Sequence, residues 1–297
     1  MDGVLNVYKP AGPTSHDVVD QVRKLFGQKR VGHAGTLDPM ATGVLVICLG
    51  KATRIVEYLM GAEKQYRARL VLGVSTDSQD STGEVTAESD ATVVTREALE
   101  EAAARFVGEI EQVPPMVSAV KHEGQRLYKL AREGKIVERK ARQVSVYSIQ
   151  VMSFEPGPRA EAELVVSCGS GTYIRTLCAD IGDALGCGGH MSALERTAVG
   201  MFRVEESTTL EKLAGAQTNE QLEERLIGLA EALQNLPEVT VGEEEVHRIT
   251  RGLPVGAAGV EDGRDVRVAD AQGRLLAIAV VAEGSAHPRK VLVDLDL

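Results

Sequence analysis

The chain has 297 residues, 43% of them hydrophobic and 26% charged, with a formal net charge of -10 at pH 7. That length suits one large domain plus a small one. No run of about 18 apolar residues is present to cross a membrane as a helix, and residues 1–4 show no basic stretch leading into an apolar one, so neither a membrane anchor nor a signal peptide is expected. In chain order, residues 4–9 read as a short strand. Thr14, Ser15 and Asp17 offer caps for a helix running to about Phe26, with Val18, Val19, Val22 and Leu25 as its apolar stripe. A Gly-rich loop follows, then a buried strand over 44–49 and a helix over 52–60. Residues 66–72 partly alternate and predict a strand with one wet face. The polar, acidic stretch 75–89 reads as a loop, and Thr95 caps a helix from Arg96 to about Phe106. Pro114 and Pro115 force an extended segment. Residues 126–132 predict a short basic helix, 144–154 and 161–167 strands, 173–185 a helix, and 199–204 a strand. An acidic, helix-rich segment opens at Thr208 and ends near Pro237. The last stretch changes texture: a helix with Val246 and Ile249, a turn at Asp270-Ala271-Gln272-Gly273 between β runs, and a final strand over 290–295.

Within this frame the most constrained stretch is Gly32-His33-Ala34-Gly35-Thr36-Leu37-Asp38-Pro39-Met40-Ala41-Thr42-Gly43. Its glycines reach backbone angles closed to other residues, and Pro39 pushes Asp38 towards extended conformations. The result is a single carboxylate presented rigidly, as a nucleophile or a general acid/base requires. On spacing alone, a turn in which Asp38 accepts backbone hydrogen bonds fits equally well.

Net charge at first argues against a nucleic-acid partner. Its distribution answers this. Residues 205–245 hold eleven acids against Lys212 and Arg225, whereas residues 119–143 hold eight bases against Glu123, Glu133 and Glu138. A local basic patch can bind RNA on an acidic protein, although a run of this kind is also the ordinary composition of a solvated helix face. Cys48, Cys168, Cys178 and Cys187 show no C-x-x-C pairing and read as buried thiols of a cytoplasmic protein. Gly50-Lys51-Ala52-Thr53 lacks the upstream glycine of a phosphate-binding loop. Gly186-Cys187-Gly188-Gly189-His190 offers too few ligands for a metal and reads as a turn.

Four ordered motifs carry a family resemblance. Gly32-His33-Ala34-Gly35-Thr36-Leu37-Asp38-Pro39 resembles the catalytic motif of the pseudouridine synthases, in the TruB branch that modifies the T-loop of tRNA. Tyr8-Lys9-Pro10-Ala11-Gly12-Pro13-Thr14-Ser15 is similar to that family's N-terminal element, Lys64-Gln65-Tyr66 to its K-x-Y strand, and Gly171-Thr172-Tyr173-Ile174-Arg175 to its G-T-Y-I-R segment. The resemblance implies an α/β (α+β) pseudouridine synthase fold: a mixed, largely antiparallel sheet with a central catalytic cleft over 1–237, an RNA-gripping insertion about 119–143, and a β-rich PUA-like RNA-binding domain over 238–297. It implies isomerisation of uridine 55 in the tRNA T-loop, with no cofactor and no metal, by a cytoplasmic monomer needing no membrane and no obligate protein partner.

The resemblance also assigns roles. Asp38 is the catalytic carboxylate, and three routes stay open for it: attack on the base, attack at C1′, or proton removal at C2′. Arg175 pairs with Asp38; seen alone it is a surface arginine early in a helix. Tyr66 stacks on the flipped base, and its hydroxyl is a candidate to carry the C5 proton; seen alone it is a core tyrosine. His33 fills the space the base leaves. Lys9 supports the loop or touches phosphate, and Leu194 lines the uracil pocket. Relatives often carry two arginines after that leucine, where this chain has Glu195 and Arg196, so Arg196 is expected to keep one RNA contact. Lys129, Arg132, Arg139 and Arg142 form the gripping arm. Two rivals remain: a non-catalytic RNA-binding or tRNA-folding chaperone, against which the joint presence of Asp38, Tyr66 and Arg175 speaks, and a small-RNA-guided synthase, whose N-terminal extension and basic tails are not seen.

Overall fold

The computed structural model describes residues 1–116, 118, 121–122, 124–127, 130, 134–135 and 137–293. The strands are β1 (Gly3–Lys9), β2 (Val31–His33), β3 (Thr42–Leu49), β4 (Lys64–Leu72), a small hairpin β5 (Val74–Thr76) and β6 (Val85–Glu88), β7 (Gly108–Gln112), a short pair β8 (Lys121–His122) and β9 (Gln125–Arg126), β10 (Arg142–Glu155), β11 (Glu161–Cys168), β12 (Gly189–Val199), β13 (Phe202–Arg203) and β14 (Thr208–Thr209). Ten of them make one mixed sheet in the order β14-β1-β3-β12-β4-β11-β10-β7, with β13 on β12 and β2 on β3. Only the β1–β14 and β3–β12 pairings are parallel.

β3 is apolar from Val44 to Leu49 because both its faces are covered there. Leu45, Ile47 and Leu49 join the core under the helices Ser15–Leu25 and Ile174–Ala184, while Val44, Val46 and Cys48 join a second core with Ile55, Leu59, Val199 and Phe202. β4 keeps its alternation: Tyr66, Ala68 and Leu70 are buried, and Arg67 and Arg69 are exposed. The helix Ser15–Leu25 starts on a capping box between Thr14 and Asp17, which satisfies donors that a helix start leaves orphaned.

A second sheet follows: β15 (Glu238–Val241), β16 (Val255–Gly256), β17 (Asp265–Asp270), β18 (Leu275–Ala282) and β19 (Ser285–Val291), in the order β15-β17-β18-β19-β16. It has its own core around Val241, Ile249, Val266, Val268 and Val281. Its Leu275, Ile278 and Leu292 pack with Ile55, Leu59 and Leu233 of the first unit. At the same seam Lys290 Nζ lies 2.8 Å from Glu57 Oε2 and donates to the Arg54 carbonyl at 2.6 Å.

Several expectations are corrected. The helix over 52–60 is a 3-10 turn at Gly50–Arg54 followed by the helix Val56–Met60. The acidic loop 75–89 contains the β5–β6 hairpin. The strand placed over 199–204 is instead a tight reversal, and the long strand precedes it as β12. Charged residues and a glycine hide that strand in the sequence: Glu195 and Arg196 interrupt the apolar pattern, because Arg196 points inward. Of the basic helix expected over 126–132, Arg126 belongs instead to β9, Leu127 and Leu130 are helical, and the other four residues lie outside the described residues. Among the described residues the last strand is Ser285–Val291, starting well before the expected 290–295, of which 294–295 lie outside the described residues; Pro288 stands opposite Ala279 beside a register shift, where a residue without an N–H is tolerated.

Candidate active site

The Asp38 loop joins β2 to β3 and is fixed through its main chain. Ser15, at the start of its helix, accepts from Leu37 N at 2.9 Å and donates to Leu37 O at 3.1 Å. Lys9 Nζ donates to the carbonyls of Pro39 at 3.1 Å, Ala41 at 2.7 Å and Pro10 at 2.9 Å. The Arg196 guanidinium donates to Val44 O at 2.8 Å, Gly35 O at 3.0 Å and Thr36 O at 3.4 Å. Gly35 and Gly43 both adopt positive φ, at 102° and 99°. At Gly43 a Cβ would sit 2.3 Å from Arg196 O, so only glycine lets β12 run this close to β3.

This frame leaves the Asp38 side chain 35% exposed, against 3% for Arg175, whose Nε lies 3.0 Å from Asp38 Oδ2. Arg175 stands in the first turn of the helix Ile174–Ala184. That helix start has no side-chain cap of its own. Buried Gln112, at the end of β7, holds it instead: its Oε1 accepts from Tyr173 N at 2.9 Å.

A second carboxylate, which sequence reasoning does not single out, grips the same guanidinium. Asp80 Oδ2 lies 3.2 Å from Arg175 Nη1, which also faces Ser78 O at 3.3 Å. Asp80 is buried, and its Oδ1 accepts from Ser78 Oγ at 2.7 Å, Thr82 N at 2.9 Å and Thr82 Oγ1 at 2.6 Å. Its loop is moored to β12 by Ser81 N to Met191 O at 3.0 Å and to the Arg175 helix by Thr176 Oγ1 to Gln79 Oε1 at 2.8 Å. In sequence, Ser78-Gln79-Asp80-Ser81-Thr82 looks like any solvated turn. Only the positive φ of Gln79, at 64°, marks it as a backbone held in place by its surroundings.

Burial pushes the Asp38 carboxyl above the usual carboxylate range; Arg175 and Lys9 pull it back, while Asp80 pushes it further up. Tyr66 is buried opposite Arg196 on the antiparallel ladder between β4 and β12. Burial raises its phenol, and the Arg196 guanidinium opposes that rise. Burial lowers Lys9 and Lys64 to about 8 each. Lys64 Nζ is engaged by the carbonyls of Met60 and Ala62 at 2.8 and 2.6 Å. His33, beside the loop, is held below its ordinary pKa by burial and then by the charges of Arg196 and His16. Its Nδ1 is buried and, among the described residues, has no hydrogen-bond partner.

The structure therefore brings Asp38, Arg175, Tyr66, Lys9, Arg196 and His33 into one region, but two of them are turned away from any phosphate. Lys9 is fully buried and Arg196 is 1% exposed, so of the two readings of Lys9 the structure has loop support, and the RNA contact expected of Arg196 is corrected to a loop-holding one: each side chain donates to three main-chain carbonyls. Leu194 lies in the main core. Glu195 instead faces the wet side of the sheet, 3.5 Å from Arg67. Arg142 is exposed at the start of β10, Arg139 is half-buried with Nη1 donating to Pro114 O at 3.1 Å, and Lys129 and Arg132 lie outside the described residues.

The site is thus a partly open carboxylate locked to a buried arginine on a mixed sheet. A family model described as TruB family pseudouridylate synthase (N terminal domain) matches residues 23–174, and one described as tRNA pseudouridylate synthase B C-terminal domain matches residues 175–236. The chain is 50% identical over 253 residues to tRNA pseudouridine synthase B of Symbiobacterium thermophilum, covering 85% of this chain and 83% of that one. It is 44% identical over 295 residues to the protein of the same name from Dehalococcoides mccartyi, covering 99% and 97%. Among solved structures, a chain of a Cbf5-Nop10-Gar1 complex superposes with a TM-score of 0.76 at 31% identity, over 99% of this chain and 86% of that one. The chain belongs to the TruB family of pseudouridylate synthases.

Proposed function

We propose that the chain isomerises uridine to pseudouridine at position 55 of tRNA, with the flipped base received between Asp38 and Tyr66. The observation that carries the reading is the Asp38 carboxylate, partly open to solvent yet fixed 3.0 Å from a buried guanidinium. Breaking the glycosidic bond, turning the uracil and joining C5 to the ribose needs the base out of its stack. It also needs an ionised carboxylate beside the base, and Arg175 opposes the upward push that burial gives the Asp38 carboxyl. Tyr66 supplies a ring to stack on the uracil and a hydroxyl to exchange a proton. His33, kept uncharged, is suited to stand in for the departed base in the T-loop.

The catalytic unit is proposed to span 1–237 and a PUA-like RNA-binding unit 238–297; the separate core of the second sheet supports that division. The T-arm is gripped by 119–143. The enzyme acts as a cytoplasmic monomer. Among the described residues no helix is long and apolar enough to cross a membrane. Purified protein alone should convert uridine in a T-stem-loop transcript without added cofactor, guide RNA or partner protein; an unconverted transcript overturns the reading.

Two further results are expected. Tyr66→Phe should bind the transcript like the parent but lose most of kcat, whereas Tyr66→Leu should lose both. A Phe variant with parental kcat leaves Tyr66 only its stacking role. Replacing Lys129, Arg132, Arg139 and Arg142 with Gln should weaken binding and flatten the slope of log K against log salt by roughly 0.7 to 0.9 for each phosphate no longer neutralised. Single-turnover chemistry at saturating enzyme should change little. An unchanged salt slope would place the RNA on another face.

A further inference from the structure

The helices Ser15–Leu25 and Arg96–Ala104 each begin on a threonine, whose hydroxyl accepts from Asp17 N in the first and Ala98 N in the second. The helix that carries Arg175 begins on Tyr173 and has no such cap. Its orphaned start is met from 61 residues away, by Gln112. Gln112 is 1% exposed and is the last paired residue of β7, opposite Arg142 of β10. Its amide takes both main-chain groups of Tyr173: Oε1 accepts from Tyr173 N at 2.9 Å and Nε2 donates to Tyr173 O at 3.3 Å. That is more than a helix cap needs, since a cap supplies an acceptor alone. The N–H lies in the peptide plane before the Tyr173 Cα and the carbonyl in the plane after it. One planar amide on both therefore fixes the two soft dihedrals of the residue at which the chain passes from extended backbone, with φ -100° and ψ 106°, into helix. Arg175 follows in the first turn. A small rotation at Tyr173 would swing that long side chain through a wide arc.

We infer that Gln112 is a positioning residue for the reaction: by clamping both peptide groups of Tyr173 it sets the start of the helix that aims the Arg175 guanidinium at Asp38. The two ends of Arg175 are then held separately. Asp80 and Ser78 grip the guanidinium at Nη1, at 3.2 and 3.3 Å, while Gln112 fixes the main chain from which the side chain springs. With both ends held, Nε stays 3.0 Å from Asp38 Oδ2. The choice of residue fits the role. A buried amide is costly unless its donor and its acceptor are both matched, and an apolar side chain of the same length would fill the site without that demand. Gln112 also carries no charge, so it reaches Asp38 only through what it positions. The inference rests on the reading that Asp38, paired with Arg175, acts on the target uridine.

The test is Gln112→Met, which keeps the length of the side chain and removes both contacts. On a T-stem-loop transcript the expected result is affinity within about threefold of the parent and a single-turnover rate, at saturating enzyme, down by about thirtyfold or more. The acid limb of that rate should also move to higher pH, the direction expected when Arg175 loosens its hold on Asp38. The charged groups facing Asp38 are Arg175 from its helix, Lys9 from β1 and Asp80 from its loop. The substitution alters none of their charges, and Lys9 is held by the carbonyls of Pro10, Pro39 and Ala41, so a raised limb reports a displaced Arg175. A clamp that served stability alone would lower the unfolding temperature and leave the limb in place. A rate within about threefold of the parent, or a slower rate with the limb unmoved, overturns the inference. Gln112→Asn, whose amide ends one methylene short of Tyr173, should show the same loss and the same shift, and it decides if the methionine variant does not fold. If neither folds, the contact holds the fold rather than the rate, and the inference fails. A parent that leaves the transcript unconverted counts against the assigned reaction; a converting parent whose rate and limb survive both substitutions counts against the clamp alone.

Discussion

Asp38→Asn is expected to abolish turnover, by about four orders of magnitude or more, while leaving tRNA affinity within about tenfold. The amide keeps the shape of the carboxylate and removes its charge. The fold should survive, because Arg175 retains Asp80 Oδ2 at 3.2 Å and the loop is held by main-chain contacts that do not involve the Asp38 side chain. Thermal unfolding and a filter-binding isotherm, run beside a single-turnover assay, separate the three quantities. Turnover near the parental rate would remove Asp38 from the chemistry.

The second large effect comes from the two carboxylates sharing one guanidinium. Arg175→Met and Asp80→Asn should both slow catalysis, yet move its acid limb in opposite directions. If Asp38 works ionised, activity fades as pH falls through its pKa. Arg175 lowers that pKa and Asp80 raises it. Removing Arg175 therefore shifts the limb to higher pH, and removing the Asp80 charge shifts it to lower pH. Arg175→Met should be the slower variant, by about a thousandfold, and the less stable, by about 3 kcal/mol at neutral pH, since it strands a buried carboxylate. That instability should shrink as pH falls, because a carboxyl whose folded pKa is raised gains protons on folding. Asp80→Asn should lose about ten- to a hundredfold through a less firmly aimed Arg175. Limbs that move the same way in both variants would show that Asp38 does not titrate in the step being measured.

Much of this site is legible because its parts lie in short motifs whose local chemistry is strong. Glycines, Pro39 and a lone carboxylate mark the Asp38 loop, and the capping residues Thr14 and Asp17 mark the helix that carries Ser15. The illegible parts share one cause: they are polar residues made internal by distant partners. Asp80 sits in a run of Ser, Gln and Thr that any solvent-facing turn could show, and only the arrival of Arg175, far along the chain, makes it buried. In sequence Lys9 is open to phosphate contact as well as loop support, and Arg196 reads as an RNA contact, because a lone basic residue normally lies at the surface. Their burial depends on the unpaired carbonyls of a loop that neither adjoins in sequence. β12 escapes a sequence reading for the same reason, its inward arginine breaking the alternation by which strands are recognised.

The seam between the two sheets has a consequence for recognition. Leu275, Ile278 and Leu292 share a core with Ile55 and Leu59, and Lys290 closes over Glu57. Whatever the second sheet touches on a long, folded substrate, it meets at a distance and angle from Asp38 that folding has already set. The two bodies act as the jaws of a fixed gauge rather than beads on a string. If a substrate touches both bodies, its association does not bear the entropy of aligning two independent modules.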